Sequence, residues 1–83
     1  MDPITLRLTT CFETVFPDLP VEEIPAASQA TLAAWDSVAA ITLVNVIEEE
    51  FGIEMDFDQL ADLDSFRRVR DYLGREVRTE PLG

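Results

Sequence analysis

Asp36 and Ser37 are the residues of this chain best placed to do chemistry. Asp is a favoured N-cap, so Ser37 falls on the first residue of a helix. Apolar residues then recur at Val38, Ile41, Val44, Ile47 and Phe51, a spacing of 3, 3, 3 and 4. A hydroxyl on that rim lies beside backbone N–H groups that have no partner within the helix, at the positive end of the helix dipole. Such a place favours a phosphate on or near the serine, and phosphoester chemistry is the expectation. Hydrolysis is not expected. The chain has no His and no Lys to serve as a base, and no Gly-x-Ser-x-Gly elbow surrounds Ser37.

Two other groups of residues invite chemistry and fail on detail. Cys11 lies between Leu8 and the pair Phe12 and Val15 in a helical pattern, which makes it a core residue with no histidine to activate it. Asp56, Asp58, Asp62 and Asp64 alternate in the manner of a calcium loop. Counting from Asp56, however, Ala61 occupies the place of the turn glycine and Arg67 that of the bidentate glutamate, so no specific metal site is expected.

The elements that must position Ser37 are helical. Ile4, Leu8, Cys11, Phe12, Val15 and Phe16 form a stripe at helical period just after Pro3, which suits a first turn. Pro17, Pro20 and Pro25 then punctuate a stretch with neither helical nor alternating pattern, so residues 17–34 read as one long loop, pinned by Leu19, Val21, Ile24 and Leu32, with a short turn at Ser28 to Leu32. The second helix runs from Ser37 to Glu50 and is stopped by Gly52. Phe57 to Ala61 makes a short helix anchored by Leu60. Asp64 or Ser65 caps a last helix whose Phe66, Val69, Tyr72 and Leu73 share a face, with Gly74 or the following segment as its fraying end. The expected fold is all-α: a small bundle of three main helices plus one short helix, with a long loop between helices one and two. A single domain spans residues 1–79, followed by a flexible tail at 80–83.

Composition limits the function. In 83 residues, 17 Asp and Glu stand against 6 basic residues, all Arg, for a formal charge of −11. That field repels nucleic acid, anionic membranes and other copies of the chain, so no nucleic-acid partner, no membrane insertion and a monomer are expected. One cysteine asks for no oxidising compartment. The Met-Asp-Pro start carries no basic segment followed by an apolar run, and no stretch is long enough to span a bilayer, so the expected location is cytoplasmic. Glu48, Glu49 and Glu50 at a helix C-terminus oppose the dipole, which points to a use at the surface rather than in stability.

Asp36-Ser37-Val38, the amphipathic run after it and Ile47-Glu48-Glu49-Glu50-Phe51-Gly52-Ile53 resemble the phosphopantetheine attachment region of acyl carrier proteins, whose usual pattern is Gly-x-Asp-Ser-Leu, an amphipathic helix, then Glu-Glu-x-Phe. The family glycine is Ala34 here, its leucine is Val38, and two acidic positions early in the helix are Ala39 and Thr42. The resemblance implies a non-catalytic carrier protein. A 4′-phosphopantetheine arm from coenzyme A would be placed on Ser37 by a phosphopantetheinyl transferase, to tether an acyl, aminoacyl or peptidyl thioester in fatty acid, polyketide or related specialised biosynthesis. Asp36 and Val38 would flank the attachment point. Trp35, Ile41, Glu48 and Glu49 would meet partners: a loading ligase or transferase and downstream enzymes with basic patches. The competing reading is an acidic helical interaction module with no prosthetic group, and phosphorylation of Ser37 as a switch shares the same helix-terminus physics.

Overall fold

The computed structural model describes residues 3–55 and 57–77. Three α-helices carry the fold: α1 (Pro3–Val15), α2 (Ser37–Phe51) and α3 (Phe66–Val77), with 3₁₀ helices at Val21–Ala26 and Phe57–Asp62 in the connections. The architecture is the expected small all-α bundle. The side chain of Leu60 and the tail at 80–83 lie outside the described residues.

Phe12 sits near the centre of the core. Its ring meets Trp35 edge-on at 5.3 Å and Phe66 at 5.1 Å, so a single residue of α1 joins the start of α2 to the start of α3. Leu8, Cys11, Ile24, Ile47, Val69 and Leu73 complete the fully buried set. Cys11 is core, as its pattern indicates. Loss of solvation, reinforced by the Glu50 charge, pushes its thiol up to about 11.

The segment 17–34 is more ordered than its prolines suggest. A six-residue 3₁₀ helix tolerates Pro25 because the proline forfeits only one short-range bond and its fixed φ suits the turn. Ile24 is fully buried, Leu19 and Leu32 are partly so, and Val21 faces out. An isolated antiparallel bridge pairs Ser28 with Ser65, with Gln29 N–H donating to the Asp64 carbonyl and Phe66 N–H to that of Ala27, both at 2.9 Å. The long connection is thereby stitched to the start of α3, where Ser65 Oγ accepts from Arg68 N–H at 3.2 Å as the cap.

Of the two ends expected for α3, Gly74 or the Arg75 to Thr79 segment, the helix passes Gly74 and ends at Val77, within the second. One expectation is corrected. The inward side of α2 is Ala40, Leu43, Val44, Ile47 and Phe51, not a face that begins at Val38 and Ile41. At about 100° per residue each step of three slips back by about 60°, so Val38 and Ile47 end on opposite sides of the helix. Both stripes are apolar in sequence. Only packing against the rest of the chain, chiefly α1, selects one.

Candidate functional site

Ser37 is exposed and is the first residue of α2. Asp36 is extended, with φ −99° and ψ −171°, and its Oδ1 accepts from Ala39 N–H at 2.9 Å while its carbonyl accepts from Ala40 N–H, also at 2.9 Å. The bond to Ala39 N–H satisfies one of the four orphan donors of the helix, and the bond from Ala40 N–H is the first of the helix's own ladder. The amides of Ser37 and Val38 are left beside the Ser37 hydroxyl at the positive end of the dipole.

The approach to Ser37 is fixed from inside the protein. Trp35 donates its backbone N–H to the Leu32 carbonyl at 3.0 Å, and its ring, only 3% exposed, is wedged against Phe12 and Phe16. This corrects the expectation that Trp35 meets a partner. With Phe12, Phe16 and Phe66 converging beneath the entering chain, the large apolar ring is drawn inward. It is a positioning residue, two places from the serine. The indole Nε1–H is buried without a hydrogen-bond acceptor, a cost the packing must offset.

Ser37 rims an open hollow of about 260 Å³ shared with Gln29, Ala40, Ile41 and Ala61. Gln29 arrives from the bridge segment and Ala61 from the second 3₁₀ helix, and no sequence pattern singled out either. Val38, outside the hollow, is 73% exposed, and Ile41, on its wall, is 45% exposed. The sequence-predicted Asp36, Val38 and Ile41 are therefore gathered around Ser37, and Trp35 lies below them.

Glu48 and Glu49 are not part of that gathering. Glu48 closes the far end of α2. Its carbonyl accepts from the N–H groups of Gly52 and Ile53, its Oε2 accepts from Met55 N–H at 2.8 Å, and Gly52 adopts the left-handed conformation, φ 67°, that this turn requires. Glu50 is engaged too. Arg7 Nε donates to its Oε2 at 2.9 Å, a second guanidinium nitrogen donates to its carbonyl, and the guanidinium lies 4.5 Å over the Phe51 ring. The positive charge that α2 lacks in its own last turn thus comes from α1. Two of the three acids read from sequence as a surface feature hold the fold, and Glu49 alone is exposed with no ion pair among the described residues.

In comparisons with known proteins, the family model described as phosphopantetheine attachment site matches residues 7–73, a span that contains the whole of α2 and the hollow at its N-terminus. Neither the curated proteins nor the solved structures gave a match. No helix among the described residues is long and apolar enough to cross a membrane.

Proposed function

The chain belongs to the phosphopantetheine attachment-site family, whose members carry a covalently attached 4′-phosphopantetheine, and on that premise we propose that it is a carrier protein modified at Ser37 Oγ. The observation that carries this reading is the placement of Ser37: an exposed hydroxyl on the first residue of a capped helix, beside two free amides and an open hollow, inside the matched span. These features fit a phosphoester. The amides and dipole favour its charge, and the hollow leaves room for the root of a long substituent.

Attachment would form the bond from Ser37 Oγ to the phosphorus on the pantetheine side as the pyrophosphate of coenzyme A breaks, with adenosine 3′,5′-bisphosphate as the leaving group. With no His or Lys in the chain, the acceptor for the serine proton belongs to the transferase. When bound, the group supplies a terminal thiol and with it thioester chemistry. The protein holds the attachment point in place, Trp35 from below and Asp36 through the cap. It has no need of a deep pocket of its own, because acyl, aminoacyl or peptidyl cargo is processed inside loading and downstream enzymes. The charge of −11 opposes self-association and favours a monomeric carrier.

The test is intact mass before and after incubation with a broad-specificity phosphopantetheinyl transferase and coenzyme A. The expected result is the gain of one arm by the wild type and none by Ser37→Ala. A folded wild type that gains nothing would overturn the proposal in favour of an interaction module without a prosthetic group.

A further inference from the structure

We propose that the Gln29 side-chain amide donates a hydrogen bond to the phosphodiester that roots the arm on Ser37, and so holds the arm against the hollow while no enzyme is bound. The inference rests on the carrier reading and assigns that site a residue from outside the attachment helix.

A phosphodiester keeps a negative charge on oxygens that call for hydrogen-bond donors, and proteins commonly answer with Arg or Lys. No Arg is among the described residues that line the hollow at Ser37. Between Gln29 and Ile47 the only ionisable side chain is Asp36, a carboxylate that repels an anion and is itself engaged by Ala39 N–H. Ala40, Ile41 and Ala61 bring hydrocarbon to the walls. The Ser37 hydroxyl is spent in the ester, and the amides of Ser37 and Val38 serve from the helix side alone. Gln29 is then the one lining residue with a side-chain N–H to offer from the opposite segment.

Gln29 is free to give it. Its backbone N–H is taken by the Asp64 carbonyl at 2.9 Å, and its exposed side chain makes no hydrogen bond among the described residues, which leaves Nε2–H as its unengaged donor. The backbone that carries it is held on both sides. Ser28 pairs with Ser65 and donates its N–H to Thr31 Oγ1 at 3.2 Å, while Leu32 N–H donates to the Ser28 carbonyl at 2.9 Å. A side chain on a fixed backbone has less freedom to lose when it engages a ligand. The bridge that stitches the long connection to α3 therefore also carries a neutral donor to the one place where the arm brings a charge.

The experiment loads the full chain with the arm, using a broad-specificity phosphopantetheinyl transferase and coenzyme A, and compares amide proton–nitrogen correlation spectra before and after. The chain has three side-chain amides, Gln29, Asn45 and Gln59, so their signals are readily assigned. The Gln29 side-chain pair is expected to move on loading. That of Asn45, eight residues along α2 from Ser37 and about 12 Å away at 1.5 Å per residue, is expected to stay. Phosphorus NMR relaxation of the loaded chain then reads how firmly the root of the arm is held. Gln29→Ala is expected to lower the ratio of held to free arm about tenfold, the worth of one hydrogen bond to a charged group. Gln29→Glu, which keeps the shape but puts a carboxylate where the donor was, should lower it at least as far. Intact mass verifies that each variant carries the arm and circular dichroism that each is folded, which the exposure of the side chain favours. A Gln29 pair that does not move on loading, or phosphorus relaxation in both variants equal to that of the wild type, would overturn the proposal and leave the carrier reading standing. A wild type that takes no arm at all would remove both.

Discussion

Trp35 offers the sharpest test of how Ser37 is held, because two substitutions there pull stability in separable ways. Trp35→Ala removes a ring that is 3% exposed and packed 5.3 Å from Phe12 and 6.0 Å from Phe16 by ring centroids. Truncating a buried aromatic residue to Ala costs about 3–5 kcal/mol. At ~0.05–0.15 kcal/mol per residue, an 83-residue chain has roughly 4–12 kcal/mol in all, so the variant is expected to lose much of its stability. Trp35→Phe is different. It keeps one ring in the aromatic cluster and opens a smaller gap, costing roughly 1–2 kcal/mol. It also deletes the buried, unpartnered indole N–H, whose desolvation penalty is about 1–3 kcal/mol. The two contributions nearly cancel, and Trp35→Phe should lie within about 1 kcal/mol of the wild type. Urea unfolding followed by far-ultraviolet circular dichroism measures both, since Trp35 is the only tryptophan and fluorescence would vanish with it. If Trp35→Phe proved as costly as Trp35→Ala, the indole N–H would have to be paired and the argument from its isolation would fail. A cost below about 1 kcal/mol for Trp35→Ala would show that the ring is not what fixes the entry to α2.

Asp36→Ala should destabilise the fold by about 1 kcal/mol and Asp36→Asn by much less, because Asn caps nearly as well; equal melting temperatures for the two would refute the cap. Glu48→Ala, which strands the Met55 N–H, should cost about 1 kcal/mol in urea unfolding while Glu49→Ala costs close to nothing, and the reverse order would refute the part assigned to Glu48 in closing the turn after α2. Gly74→Ala should raise the melting temperature, by the ~0.5–1 kcal/mol that separates these residues inside a helix, since the added Cβ meets only the end of the Arg70 side chain, at 3.4 Å; a fall would mean that Arg70 cannot move aside. For Cys11 the thiol holds its proton more tightly in the folded than in the unfolded state, so stability should decline as pH rises from about 9 to about 11, with Cys11→Ser lacking that decline; matching pH profiles would refute the assignment.

Features set by neighbours in sequence were legible before the fold was known. The start of α2 follows from Asp36 and Ser37, its end from Gly52, and the cap of α3 from the pair Asp64 and Ser65, between which the structure selects Ser65, because each needs only a local hydrogen bond or a permissive φ. What could not be read is sidedness and pairing across the chain. An α2 with Val38, Ala39, Ala40, Ile41, Leu43, Val44, Val46 and Ile47 is apolar nearly all round, so periodicity alone cannot say which stripe faces inward. The partners of Glu48 and Glu50 were hidden for a related reason. One is a backbone amide in a turn that exists only after Gly52 goes left-handed, and the other is an arginine 43 residues away. Gln29 and Ala61 joined the site only because the bridge and the second 3₁₀ helix bring them there.

The two ends of α2 therefore divide the work. At the C-terminal end, acids that would oppose the dipole are absorbed by Met55 N–H and Arg7, bonds that hold the helix against its turn and against α1. Exposed ion pairs are worth only about 0–1 kcal/mol, so the Arg7–Glu50 contact contributes mainly by placing a positive charge where the helix lacks one. At the N-terminal end the order is reversed: the backbone is fixed by Trp35 and Asp36, and the side chains facing out are left unengaged. A rigid attachment point under a free apolar surface suits a protein whose chemistry is carried out by others. In the proposed carrier this keeps the position of Ser37 constant and leaves Val38 and Ile41 exposed beside it.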